Sequence, residues 1–148
     1  MSDLRPLVDV YIPGEPKPQG SKVRGRGGGL YEASREVAAW RERVALATSA
    51  VFHGDPVDEP VAVNLAFAFM RPRGHYGKKG LRRSAPCHKV SRPDLDKLAR
   101  AVLDAITGVV IRDDAQVVRL QATKIFADDK YPGGAYISVG VLTAGGDV

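Results

Sequence analysis

The ten residues VAVNLAFAFM, Val61 to Met70, constrain the fold more than any other stretch. Val61, Val63, Leu65, Phe67 and Phe69 fall at every second position, and three of the four positions between them are alanine. A period of two sends the large side chains to one face of an extended strand, and the alanines keep the other face small and mostly apolar. That pattern predicts a strand in the body of a sheet.

The other segments supply its neighbours. LVDVYI, Leu7 to Ile12, alternates apolar and polar residues as a half-buried strand does, and Pro13-Gly14 ends it. In SREVAAWRERVALATSAVF, Val37, Trp40, Val44, Ala47 and Val51 recur at helical spacing behind Ser34, a suitable N-cap. Leu95, Leu98, Val102 and Ile106 do the same, so a second helix is expected from Asp94 or Leu95 to Ile106, stopped by Gly108. Val109 to Ile111 reads as a short strand. QVVRLQATKIF and AYISVGVL read as two more, joined through the turn-forming ADDKYPGG. The order β-α-β-α-β-β predicts an α/β (α+β) fold, with two principal helices packed on a mixed β-sheet. At 148 residues and 44% hydrophobic, one domain spanning 1–148 is expected, with 143–148 as a frayed tail.

The formal charge of +5 and the pI near 9.5 favour a polyanionic partner, nucleic acid ahead of an acidic membrane surface. No apolar run approaches the ~18 residues of a membrane span, and the first residues lack the basic and apolar regions of a signal peptide. A cytoplasmic location is expected. Cys87 is the only cysteine, which excludes an internal disulfide, and His53, His75 and His88 give it no zinc spacing.

The positive charge is concentrated in two glycine-rich loops. Pro16 to Tyr31 carries Lys17, Lys22, Arg24 and Arg26, five glycines and no acid. Arg71 to Arg92 holds eight of the 22 lysines and arginines: Arg71, Arg73, Lys78, Lys79, Arg82, Arg83, Lys89 and Arg92. A solvated surface normally interleaves acids, and this loop has none. Gly74, Gly77 and Gly80 let it follow a phosphate backbone, and His75 and Tyr76 are placed to stack on a base. A merely solubilising loop is the alternative.

Immediately after the cations come two carboxylates, Asp94 and Asp96, and further on the adjacent pair Asp113 and Asp114. Inside one regular helix the side chains of Asp94 and Asp96 would point about 200° apart, so they converge only if Asp94 precedes the first turn. Pro93 suits such a helix start. Asp104 lies about 12 Å further along the axis and reads as part of a charged ladder with Asp96 and Arg100. A turn at the end of a strand could aim Asp113 or Asp114 back at the helix start. Clustered carboxylates suit a hard cation such as Mg²⁺ or Mn²⁺, which is the equipment of phosphodiester hydrolysis. Taken alone, Asp94 could be only a helix cap and Asp113-Asp114 only a turn. An EF-hand is excluded, because counting from Asp94 puts Ala99 at the glycine position and Ala105 at the bidentate glutamate.

RPDLDKLARAVLDAITGVVIRDDAQVVRL, Arg92 to Leu120, resembles the signature of RusA-type Holliday junction resolvases, a group common in phages and prophages. The shared pattern is D-x-D at a helix start, a basic residue four positions on, LDA on the same helix, and then DDAQV. The resemblance implies a homodimeric, Mg²⁺-dependent endonuclease that makes paired nicks in four-way DNA junctions. It places metal-binding carboxylates on Asp94, Asp96 and Asp114, with Asp113 adjacent, and a functionally important basic residue on Arg100. Where the family has lysine this chain has Arg100, and where asparagine is usual it has Lys97. Arginine stays protonated, so Arg100 can hold a phosphate or balance carboxylates but cannot exchange a proton, a loss for which Lys97 compensates only in part. Two other readings compete: a nucleic-acid-binding protein that kept the fold without the chemistry, and a metal-dependent enzyme of nucleotides or sugars.

Overall fold

The computed structural model describes residues 3–20 and 27–143, with the side chains of 27–34 excepted. Its elements are β1 (Leu4–Pro13), α1 (Gly27–Val51), β2 (Val61–Phe69), the short hairpin strands β3 (Tyr76–Gly77) and β4 (Gly80–Leu81), α2 (Leu95–Ile106), β5 (Val117–Phe126) and β6 (Gly134–Leu142). Four strands form a mixed sheet in the order β1-β6-β2-β5, in which only β2 and β5 run parallel. The α/β expectation and the β-α-β-α-β-β order of the main elements therefore hold.

β2 lies inside the sheet, as its composition requires. Val61, Val63, Leu65, Phe67 and Phe69 are all buried, in one cluster with Trp40 and Val44 of α1, Leu98 and Val102 of α2, and Val8, Ile137 and Val139 of the flanking strands. Truncating a side chain such as Phe67 to alanine there costs about 3–5 kcal/mol. Both helices cover this face. On the other face Asn64, Gln121 and Ser138 are exposed, so the domain has two layers. Parallel β2 and β5 cannot be joined by a tight turn, and α2 is the crossover that carries the chain back to the starting end of the sheet.

Three local expectations are corrected. Val109 and Val110 form a turn, both donating to the carbonyl of Ile106, and Ile111 makes only isolated bridges, the one to Val57 carried by Val57 N–H to the Val110 carbonyl and Arg112 N–H to the Val57 carbonyl, so no strand develops. α1 starts at Gly27, which puts Ser34 inside the helix and takes residues 27–31 out of the first basic loop. Glycine is a poor helix former, so nothing in the composition marks that first turn. Arg71 to Arg92 is not one open loop, because it contains a 3-10 turn at Arg73–His75 and the β3-β4 hairpin. On α1, Thr48 is buried through bonds to the carbonyls of Val44 and Ala45 (2.8 and 3.1 Å), while Val51 faces solvent.

Gly108 follows α2 with φ +89°, the left-handed conformation of a helix stop. Gly134 opens β6 with φ +147°, where a Cβ would overlap the carbonyl oxygen of Ile12. β5 ends the sheet, and on it Val118 and Leu120 are 63% and 46% exposed. Among the described residues no helix is long and apolar enough to cross a membrane.

Candidate active site

The start of α2 is built as the D-x-D motif requires. Asp94 is the N-cap residue, with extended backbone (φ −71°, ψ 136°), and Asp96 sits in the first turn. The Asp94 carboxylate caps no backbone N–H, and instead lies 3.5 Å from Lys97 Nζ. Asp96 is exposed and its side chain has no hydrogen bond or ion pair among the described residues. The segment before the helix is fastened to the far end of β5 by Lys124, whose Nζ donates to the carbonyls of Ser91 (2.7 Å) and Pro93 (2.9 Å). The Arg92-Pro93 peptide is cis. From the other side Gln19 N–H donates to the carbonyl of Lys97 (2.9 Å), and Arg100 lies beside Gly20. Asp104 reaches Arg41 of α1 at 4.0 Å, so it does not complete a ladder with Arg100.

Asp113 and Asp114 have different jobs. Asp113 caps the 3-10 turn Asp114–Gln116, its Oδ1 accepting from Ala115 N–H at 2.9 Å. Gln116 spends its whole carboxamide on the same turn: Oε1 accepts from the N–H groups of Arg112 (2.9 Å) and Asp113 (2.8 Å), and Nε2 donates to the carbonyls of Val57 (2.8 Å) and Glu59 (2.9 Å). Asp114 is exposed and its side chain has no hydrogen bond or ion pair among the described residues, so both of its carboxylate oxygens are open to a ligand, whereas Asp113 has Oδ1 engaged by Ala115. Gln116→Leu breaks four bonds that fix this turn. It is expected to lower stability by about 1–3 kcal/mol and DNA cleavage by roughly 10–100-fold, measured by thermal melting and by initial rates.

Within one chain the structure does not bring Asp114 to Asp94 and Asp96. α2 begins at the C-terminal end of β5, where Lys124 holds Pro93, whereas Asp114 precedes the N-terminal end of β5. The seven residue steps from Val117 to Lys124 span about 23 Å of strand. Accordingly, no group of three or more His, Cys, Asp or Glu able to hold a metal ion exists among the described residues. The crossover explains the separation, since a helix linking parallel strands starts at one end of the sheet and delivers the chain to the other.

Residues 13–139 match the family described as endodeoxyribonuclease RusA. The chain belongs to that family. It is therefore an endodeoxyribonuclease of a family that resolves Holliday junctions and acts on branched DNA. No curated protein matches it.

Its RusA-type basic surface divides into cations that brace and cations that are free. The Arg71 guanidinium lies 4.2 Å from the centre of the Phe126 ring and donates to the carbonyl of Pro86 (2.8 Å). Arg82 Nε donates to the carbonyl of Tyr76 (3.1 Å) and steadies the hairpin. Lys89 folds back over Phe69. Arg73, Lys78, Lys79 and Arg83 are exposed and carry no ion pair among the described residues, with both lysines at the hairpin tip. Lys22, Arg24 and Arg26 lie outside the described residues.

Sequence reasoning missed two residues that brace the candidate site, Gln116 and Lys124. The second left a signal. Lys124 pairs with buried Phe67 across β2-β5 and so occupies the helix-covered face, where a lysine needs a specific partner.

Proposed function

We propose that this endonuclease works as a homodimer that cuts four-way DNA junctions by paired nicks, with each cutting centre assembled from two chains. The observation that carries the reading is the placement of Asp94 and Asp96 at one end of β5 and Asp114 at the other, on a strand whose outer edge is open. Two copies pairing antiparallel along β5 about a two-fold axis would set the Asp114 end of each against the partner's α2 start. The exposed Val118 and Leu120 supply apolar area for that contact.

Asp94, Asp96 and Asp114 fit a hard divalent cation, because all three carboxylates are exposed and none accepts from a backbone N–H at a helix start. Mg²⁺ bound there supplies Lewis-acid polarisation of the phosphodiester and lowers the pKa of water. The chain's own residues do the rest. Lys97 offsets the charge of Asp94, Gln116 fixes the Asp114 turn, and Arg100 remains a permanent cation for a phosphate. Lys78, Lys79, Arg73 and Arg83 attract and hold the DNA backbone by displacing its counterions. A cytoplasmic, phage- or prophage-encoded enzyme accords with this chemistry.

The test is incubation of purified protein with a labelled four-way junction, a fork and plain duplex, with and without Mg²⁺ or Mn²⁺. Symmetric incision of the junction, dependent on the cation, is expected. A junction that is bound but stays intact under every cation condition would leave a DNA-binding protein without the chemistry.

A further inference from the structure

We propose that Lys89 and Lys124 together form a binding site for one phosphate oxyanion of the DNA backbone, beside the start of α2. The proposal rests on the functional reading above only for which phosphate fills the site.

Both ammonium groups are held on Ser91. Lys89 Nζ donates to Ser91 Oγ at 2.9 Å, and Lys124 Nζ donates to the Ser91 carbonyl at 2.7 Å. Lys124 uses a second proton on the Pro93 carbonyl, which leaves one of its three donors for a ligand. Lys89 lies 5.1 Å from the centre of the Phe69 ring and 5.9 Å from that of Phe126, with Arg71 also over Phe126 and His75 packed edge-on against it. Among the described residues neither lysine has an acid within ion-pair distance. The carboxylate that acts on Lys89 from further away, Glu15, is itself paired with Lys17 at 3.1 Å. Lys89 also lines a groove of about 430 Å³ that includes Glu15, Met70 and Gly133, so a ligand can reach it from solvent.

Two like charges held together on carbonyls and aromatic rings, both half-buried, cost the fold energy. Burial first, and then the charge of Lys124, holds the Lys89 ammonium below the ordinary lysine value, with Glu15 offsetting part of the effect. A monoanion between them would satisfy the unused protons and relieve the repulsion. Pro93, on which Lys124 is fastened, directly precedes Asp94. A phosphate held here therefore sits next to the carboxylates assigned to the cation.

The test is NMR of protein carrying ¹³C-labelled lysine, titrated with pH in the absence and presence of inorganic phosphate, and then with a four-way junction in Ca²⁺. Phosphate is expected to raise the Lys89 titration midpoint saturably while leaving Lys78 and Lys79 unmoved. The Lys124→Met variant should lose that response, and Lys124→Arg should keep it. Lys89→Gln, which leaves the Lys124 brace intact, should weaken junction affinity about tenfold. A Lys89 midpoint indifferent to phosphate, or shifted no more than that of Lys78, overturns the site. A response to inorganic phosphate without any response to junction overturns the assignment to DNA. The phosphate titration is read without cleavage, so a protein that responds to phosphate yet cuts no junction would sink the catalytic reading and leave the anion site standing.

Discussion

Asp94→Asn chains and Asp114→Asn chains, each inactive alone, are expected to cut again when mixed. If every centre takes Asp94 and Asp96 from one chain and Asp114 from its partner, a homodimer of either variant has two damaged centres. A mixed dimer concentrates both lesions in one centre and leaves the other whole. Substituting a direct ligand should cost more than the 10–100-fold typical of residues behind the ligands, so each variant alone should fall by at least about a hundredfold. Random assortment makes about half of the dimers mixed, each with one of two centres intact, which predicts about a quarter of the wild-type incision rate. The product also changes. On a cruciform plasmid the wild type should give linear DNA by paired cuts, whereas the mixed dimer should give nicked circles. A mixture as inert as its components would mean that each centre is confined to one chain, against the ~23 Å separation along β5.

The second large effect concerns β5, the strand proposed to bring two chains together. Val118→Lys with Leu120→Lys is expected to give a folded monomer that no longer cuts. Both side chains are already largely exposed in the single chain, so circular dichroism and melting should change little. In an antiparallel two-fold pair each new lysine approaches its own symmetry mate or a neighbour of it, and lysine on an edge strand is a common natural block to such pairing. Losing burial of one valine and one leucine per chain removes about 1.5–3 kcal/mol each, enough to raise the dimer dissociation constant by a hundredfold or more. Sedimentation would report the mass and junction cleavage the activity. A double variant that remains a dimer with full activity would exclude β5 as the contact.

Much of this architecture was legible in the sequence, and the gaps have physical causes. Five large residues at period two left no place for β2 but the sheet interior, and the expected span of α2, from Asp94 or Leu95 to Ile106 with Gly108 as its stop, contains the observed Leu95–Ile106. Val109 to Ile111 misled because a β-branched run says nothing about where its N–H groups go, and here they turn back on Ile106. The first turn of α1 was invisible because glycines carry no apolar period. For the site, the motif Asp94-x-Asp96…Asp113-Asp114 gave the residue types but not their arrangement. Nearness in a motif is not nearness in space when a crossover helix lies between its two halves. The family resemblance preferred Asp114 to Asp113, but the physical reason for a difference between them was hidden, since it depends on the Ala115 N–H that Asp113 Oδ1 accepts. Gln116 looked like an ordinary polar residue because its four partners include Val57 and Glu59, more than 50 positions away.

The position of β5 at the sheet border bears on when such a nuclease becomes dangerous to the cell that makes it. If a lone chain holds only half-sets of carboxylates, freshly made protein is harmless until a second molecule finds it. Onset of cutting should then follow the square of protein dose while subunits are scarce. A plot of initial rate against dose in dilute solution should curve upward before straightening, and a straight line from the origin down to the lowest dose would contradict this.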